Sequence, residues 1–434
     1  RIALENNYEG LAKKFGVDDP IAETVKKART DPAQAYKEFE KKEWRTGREN
    51  TAAAWGVIGQ FLAKKLDRKA IKAYRLQHEA GNQQLLSPES QEWKVRTALR
   101  EGDWKLVKES IEGMTPAIRK RDPAWTYWYG RAQKELGDDA LATETFQVLM
   151  EQFHFYGQLA REDLGMKIHV PKRVTPDESL VKQMSANKGF ARAVRFYDMG
   201  LRFEGNREWN WELRTLSDKQ LIAAAEHAKR IGLYDRAVNT ADRTKLEHDF
   251  GLRYPTPFKE SLSPIANSIG LDSNWAYGLI RQESRFIMAA KSSVGASGLM
   301  QVMPATAKWA AKRMGMDGYS HELIHDLTTN VDIGTYYIRY TFELMNGQAV
   351  MATAAYNAGP SRAKRWLAKE PMEAAVYIET IPFAETRNYV QKVMANAQMY
   401  APRLGRSPLS LKSRLGIIPG AVTPEVIMAD VDNE

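Results

Sequence analysis

Apolar residues recur along this chain at intervals of three and four over nearly its whole length, and runs of strict alternation are few. That period puts them on single faces of helices, so almost every segment reads as α-helix. In the first half the helical stretches are short and meet at glycine-bearing turns. Arg100-Glu101-Gly102-Asp103 separates one pair, and Glu135-Leu136-Gly137-Asp138 separates the next. Gly200 and Gly232 mark a further two turns of the same kind.

The offset from Gly102 to Gly137 equals that from Trp93 to Trp128, and at about 35 residues it is close to the period of stacked helix–turn–helix repeats of the tetratricopeptide type. A curved stack of helical hairpins is therefore expected over residues 1–180. The polar, proline-bearing run Val170-Pro171-Lys172-Arg173-Val174-Thr175-Pro176-Asp177 interrupts the pattern, and two or three more hairpin-like helices follow. Arg253-Tyr254-Pro255-Thr256-Pro257-Phe258 breaks it again, because two prolines so close forbid a continuous helix. The fold expected is all-α. It has a superhelical stack (1–180), a linker helical region (181–253), a C-terminal helical domain (254–402) and a tail (403–434) to which no role is assigned.

At 434 residues the chain is too long for one ordinary core, and 43% hydrophobic with 27% charged residues suits a globular protein. The net charge of +9 favours an anionic partner such as nucleic acid, a membrane face or acidic wall peptides, and equally serves solubility alone. No nucleic-acid module signature appears and the basic residues are scattered, which argues against nucleic acid. The absence of cysteine excludes disulfides and thiolate metal sites, and the 7 histidines show no ligand-like spacing, so no metal or other cofactor is expected. No stretch is long and apolar enough for a transmembrane helix. The chain begins at Arg1 without a Met and lacks the apolar core of a signal peptide, so a processed or trimmed product is the expectation, with which a removed export signal is compatible.

After the second proline break Ala, Gly, Ser and Met become frequent, and the candidate chemistry lies there. Leu271-Asp272-Ser273-Asn274 offers N-cap residues ahead of a helix expected to run to about Phe286. Trp275, Leu279 and Phe286 share one face, and Glu283 falls on that apolar stripe, where an ionised carboxylate is not normally tolerated. Burial raises a carboxyl pKa, as protonating a glycosidic leaving oxygen requires. At its ordinary pKa a Glu is only ~0.2% protonated at pH 7, against roughly 10% at a pKa of about 6, a shift costing about 2.3 kcal/mol. Position alone favours a Glu paired with Arg281, Arg285 or another cation. The neighbourhood turns that round.

Ser292-Ser293-Val294-Gly295-Ala296-Ser297-Gly298-Leu299-Met300-Gln301 is a small-residue loop whose glycines permit tight turns and close approach of a ligand. Pro304 suits the first turn of the next helix and Gly315 its end. Thr328, Thr329 or Asn330 would cap a helix from Val331 to Met345, and Gln348 to Tyr356 would form another, stopped by Gly359-Pro360. Pro382 would open a last long helix with Val390, Val393, Met394 and Ala397 as its core stripe.

Glu283-Ser284-Arg285-Phe286, then Ser292-x-x-Gly295-Ala296-x-Gly298-Leu299-Met300-Gln301, then Ala355-Tyr356-Asn357-Ala358-Gly359 resemble the three signature motifs of the soluble lytic transglycosylases, glycoside hydrolase family 23. Within it the chain most resembles the large type, with a helical superhelix ahead of a lysozyme-like catalytic domain. Weaker similarity extends through Glu385-Thr386-Arg387-Asn388-Tyr389-Val390. Three motifs in order over about 75 residues form a strong signal where one alone would be weak.

The resemblance implies a carbon–oxygen lyase. Glu283 would protonate the oxygen linking N-acetylmuramic acid to N-acetylglucosamine, then deprotonate the muramoyl 6-hydroxyl to give a 1,6-anhydro end. No second carboxylate lies within the motifs, unlike the pair used by ordinary glycosidases. The same resemblance puts Ser292 and Gln301 in hydrogen-bonding reach of sugar, Met300 as an adaptable apolar wall, and Tyr356 beside the acid. Asn357 serves as a helix cap or a site residue, and Glu385 and Tyr389 border the groove. A lysozyme-like muramidase that uses water, or a helical-repeat scaffold in wall-assembly complexes, are the alternatives. The expected partners are peptidoglycan glycan strands, with cell-wall enzymes as candidate partners of the superhelix. The expected location is the periplasm, with membrane association only through an anchor ahead of Arg1.

Overall fold

The computed structural model describes residues 21–41, 47–81, 83, 86–171 and 173–421. The parts of the expected superhelix before residue 21, the tail after residue 421 and Lys172 of the first interruption lie outside the described residues. The described residues are overwhelmingly helical, and among them the one sheet is a two-stranded antiparallel pair. They form two compact units, one of residues up to Lys167 with Asn357–Gln391 and the chain from Leu415, the other of Ile168–Tyr356 with Lys392–Arg414.

In the first unit the glycine turns have one geometry. Helices Pro88–Arg100 and Trp104–Glu112 are joined around Gly102 (φ 69°), and Pro123–Glu135 and Asp139–Gln147 around Gly137 (φ 88°). In each the residue after the glycine bonds back across the last turn, Asp103 N–H to the Ala98 carbonyl and Asp138 N–H to the Gln133 carbonyl, both at 2.9 Å. This left-handed cap satisfies carbonyls the helix leaves orphaned, and glycine adopts it without a Cβ clash. Helix starts are equally legible. Ser87 and Asp122 accept from Ser90 and Ala124 backbone N–H groups, each followed by proline at the first helical position. Trp93 and Trp128, the 35-spaced pair, are both buried, as are Trp55 and Trp125.

Segment 357–391 joins this unit through buried charge. Arg96, stacked over Trp93 and Trp125, donates to Glu379 at 2.9 Å. The second Glu379 oxygen accepts from Tyr156 and from Gln391, the latter at 3.2 Å. Both members of the ion pair are almost fully buried. Arg131 grips Glu373 with two bonds of 2.8 and 2.9 Å, and Arg100 donates to the Trp366 carbonyl at 2.7 Å. The tail is ordered as far as it is described. Ile417–Ile418 pairs with Met372–Glu373, a strand too short for alternation to reveal.

The second unit opens with hairpins built on the same turn, around Gly200 and Gly232. Leu201 N–H bonds the Phe196 carbonyl at 2.8 Å, and Leu233 N–H bonds the Ala228 carbonyl at 2.9 Å. Their core gathers Phe190, Trp209, Leu213 and Ala224. The two-proline break turns the chain through Phe258, held at φ 58°.

Helix Ser273–Glu283 follows, capped by Asp272 and buried along nearly all its length. A Cβ on Gly278 would stand 2.9 Å from the Val393 carbonyl, so this helix rests directly on the backbone of the segment from Lys392. Trp275 Nε1 donates to Thr353 Oγ1 at 3.0 Å, tying it to helix Ala349–Ala358.

Three boundaries differ from expectation. The helix bearing Glu283 ends at Glu283 rather than Phe286, because Arg285 (φ 50°) and Phe286 (φ 68°) are left-handed. The helix expected from Val331 begins at Leu327, capped by Asp326, whose carboxylate accepts from Thr329 N–H at 2.9 Å. The last long helix starts at Ala384, two residues after Pro382, and Val390, Val393, Met394 and Ala397 on it are fully buried.

Candidate active site

Glu283 is the final residue of its helix and is half-buried, with Leu279 and Phe286 of the same stripe in the core. Ser284 sets the exit, its hydroxyl accepting from Phe286 N–H at 3.1 Å. Two consecutive left-handed residues without glycine carry strain of the kind that collects at functional sites. Arg281, two residues ahead of Glu283, is bound elsewhere. Arg281 makes two 3.1 Å bonds to Asp242, one to each carboxylate oxygen, and a third to the Arg253 carbonyl at 2.9 Å. Burial is the largest influence on Arg285 and pulls its pKa below the ordinary value. The charges of Arg281 and Arg236 lower it further, and those of Asp242 and Asp235 oppose them.

The glycine loop folds back as a pair of single bridges, Ser297 opposite both Lys291 and Val302. Ser292 closes it, its hydroxyl accepting from Ala296 N–H at 2.9 Å. Gln301, left-handed at φ 48°, donates its amide to the Ala290 and Gly298 carbonyls at 3.1 and 2.8 Å. Met300 is fully buried, its sulfur against Gly334 of helix Leu327–Leu344, so it offers its carbonyl rather than a side-chain wall. That carbonyl accepts from the Tyr356 hydroxyl at 2.8 Å. Burial pushes the Tyr356 pKa well above its ordinary value, and the charge of Glu283 pushes it further. Glu283, Met300 and Tyr356 are thus brought together, with Gln301 next in chain.

Asn330, which the sequence offered as a helix cap, is instead the loop's internal clamp. It is 1% exposed. Its Oδ1 accepts from Met300 N–H at 2.8 Å, and its Nδ2 donates to the Ile324 and Ser297 carbonyls at 2.8 and 3.2 Å. Gly298 has no alternative beside it. A Cβ there would fall 2.0 Å from Asn330 Nδ2, and the backbone is left-handed at φ 78°. No spacing rule pointed to Asn330, whose partners lie 6 to 33 residues upstream.

Asn357, Glu385 and Tyr389 belong to the other compact unit. The Thr386 hydroxyl donates to Asn357 Oδ1 at 2.7 Å. Glu385 is exposed in the first turn of helix Ala384–Tyr400, and Tyr389, one turn on, is buried.

Residues 264–377 match the family profile described as the transglycosylase SLT domain. Residues 183–247 match the soluble lytic murein transglycosylase L domain, and 380–408 the soluble lytic transglycosylase helical domain. The soluble lytic murein transglycosylase of Escherichia coli K12 is 29% identical over 320 residues, 73% of this chain and 49% of that protein. The chain therefore spans about half the length of the curated relatives it matches. A lytic transglycosylase Slt of Pseudomonas aeruginosa, solved as an inactive mutant, superposes with a TM-score of 0.77 at 28% identity, over 94% of this chain and 68% of that one. The 70 kDa soluble lytic transglycosylase of E. coli gives 0.74 at 25% identity, over 90% and 63%. The chain thus matches an L domain and an SLT domain in succession, and shares its fold with solved soluble lytic transglycosylases over nine-tenths of its length.

Proposed function

We propose that the protein is a lytic transglycosylase of peptidoglycan that cleaves the β-1,4 bond between N-acetylmuramic acid and N-acetylglucosamine. Glu283 serves first as acid and then as base. The glycosidic C–O bond breaks as the Glu283 proton passes to the leaving oxygen. The muramoyl C1 is then captured by its own 6-hydroxyl, whose proton returns to Glu283. No water is consumed, and the product carries a 1,6-anhydro end. The observation that supports this most is the half-buried carboxyl of Glu283 at a helix end, with the Tyr356 hydroxyl in its field and the cation of its own helix committed to Asp242.

In this reading Tyr356 stays protonated across the working pH range and, tied to the Met300 carbonyl, holds the floor of the site beneath the acid. Ser292 and Gln301 shape the loop and meet the sugar through its backbone. The four-part division of the chain, with a superhelix that receives cell-wall enzymes and a linker ahead of the catalytic domain, belongs to the same proposal. So does an envelope location. Among the described residues no helix is long and apolar enough to cross a membrane.

Digestion of purified sacculi, with the fragments weighed, tests the reading. Anhydro-muramoyl ends are expected. A preponderance of reducing ends would replace the anhydro step by hydrolysis, and no fragments at all would leave the chain a scaffold.

A further inference from the structure

Helix Tyr234–Ala241 and the exit from helix Ser273–Glu283 bring together more guanidiniums than carboxylates. Asp235 accepts from Arg202 at 2.7 Å and from Arg236 at 2.9 Å, and both Asp235 and Arg236 are buried. Asp242, which caps the same helix at its C-terminal end, accepts two 3.1 Å bonds from Arg281 and has Arg253 4.0 Å away. Arg202 and Arg281 are fixed further by stacking over Tyr197 and Tyr254, 5.2 and 4.5 Å from the ring centres. A fifth guanidinium, that of Arg285, lies in the field of both groups, Arg281 with Asp242 and Arg236 with Asp235. Among the described residues it makes no side-chain hydrogen bond and has no carboxylate within ion-pair distance. Its backbone holds it there, left-handed at φ 50° with its N–H on the Ile280 carbonyl at 3.2 Å.

We propose that Arg285, assisted by the charge of Arg236, is the centre of an anion-binding site that takes a compact oxyanion, a phosphate or a carboxylate. Three features identify the occupant. Five guanidiniums share two carboxylates here, and both aspartates are already engaged, so the surplus positive charge calls for an anion from outside the chain. Arg285 is half-buried, which strips part of its hydration while leaving it within reach of a small solute. Its planar fork of donors matches two oxygens on one atom, as phosphate and carboxylate present them, better than it matches a single-atom ion. The aspartates also set the size. An extended polyanion such as nucleic acid would meet the charges of Asp235 and Asp242 as well, whereas a single oxyanion needs only the guanidinium between them. The site lies on the strained exit that follows Glu283, yet it requires nothing of the cleavage proposed for that residue.

The test titrates the full native chain by calorimetry with inorganic phosphate and, separately, with acetate, chloride making up a constant ionic strength. Saturable binding with a Kd of roughly millimolar order is expected. Saturation by either anion supports the site, and the tighter of the two names the oxyanion it prefers. Arg285→Gln should weaken that binding at least about tenfold, and Arg285→Lys, which keeps the charge without the fork, should fall between the two. No saturable binding of either anion would overturn the site. So would an affinity of the Arg285→Gln chain within about twofold of the native value. If the Gln variant fails to fold, the Arg285 Nε–H resonance of the native chain, assigned through Arg285→Lys, serves instead. It should shift as the anion is added, and a resonance that stays in place overturns the proposal. Digestion of sacculi reads the Glu283 reaction separately, so loss of the anion site leaves that reading standing.

Discussion

Asn330→Asp changes one NH2 group to an oxygen inside the loop clamp, and its consequences can be worked out in advance. The Met300 N–H keeps its acceptor. The other oxygen now faces the carbonyls of Ile324 and Ser297, at the places where 2.8 and 3.2 Å donor bonds stood. When protonated, the new carboxyl can satisfy one of these carbonyls and orphans the other, costing about 1–3 kcal/mol. When ionised it satisfies neither and is buried against two dipoles, so its folded-state pKa must rise above the unfolded value of about 3.9. A group raised in this way keeps its stability contribution below the unfolded pKa and loses it as pH climbs towards the folded pKa. The loss is about 1.4 kcal/mol per pH unit.

The deficit of the variant relative to the native chain should therefore be about 1–3 kcal/mol at pH 4 and grow to roughly 5–7 kcal/mol by pH 7 if the folded pKa reaches that far. Hydrogen exchange of amides in residues 292–302, measured at pH 4, 5.5 and 7 and corrected for intrinsic rates, reads this locally. Urea unfolding at the same pH values reads it globally. A deficit that stays constant from pH 4 to pH 7 would refute the argument, since it would mean that Asn330 is not enclosed among carbonyls.

Other expectations follow from the same geometry. Gly298→Ala must relieve a 2.0 Å contact with Asn330 Nδ2 at a left-handed residue, so it should cost roughly 2–5 kcal/mol and lower the melting temperature; an unchanged melting curve would contradict this. Tyr356→Phe removes the donor to the Met300 carbonyl and should lower kcat more than it raises KM, by about tenfold for a bond worth roughly 1 kcal/mol plus lost orientation. Because burial holds the Tyr356 pKa well above its ordinary value, no basic limb between pH 7 and 9 in the native activity profile should disappear in that variant. Arg96→Met leaves Glu379 buried without its cation and should destabilise the chain by about 3–5 kcal/mol in thermal unfolding, whereas replacing both partners together with apolar residues should recover most of that.

Much of the fold was legible because its signals are local. A glycine at the left-handed position of four hairpins and an Asp or Ser at several helix starts need only neighbours in sequence, and Gly102, Gly137, Gly200 and Gly232 were readable on that ground. Glu283 stood out by the same logic, as a carboxyl on an apolar stripe. What escaped depends on distant partners. Asn330 looked like a cap because Thr328 and Thr329 precede it, yet its work is done on Ser297 and Met300. Arg281 offered itself as the partner of Glu283, but Asp242, 39 residues upstream, claims it. Left-handed Arg285 and Phe286 carry no glycine to announce them, so the helix was read three residues too long. Met300 looked like a wall for sugar, and only Gly334 pressed against its sulfur reveals that the side chain is enclosed.

The account stands on Glu283 as the acid, and Glu283→Gln addresses that with the smallest change in shape. The variant should retain the native circular dichroism and melting temperature within about 1 kcal/mol of stability, while release of soluble fragments from purified sacculi falls by at least about a thousandfold. Cleavage by this folded variant within about tenfold of the native rate would contradict the account and take Glu283 out of the mechanism.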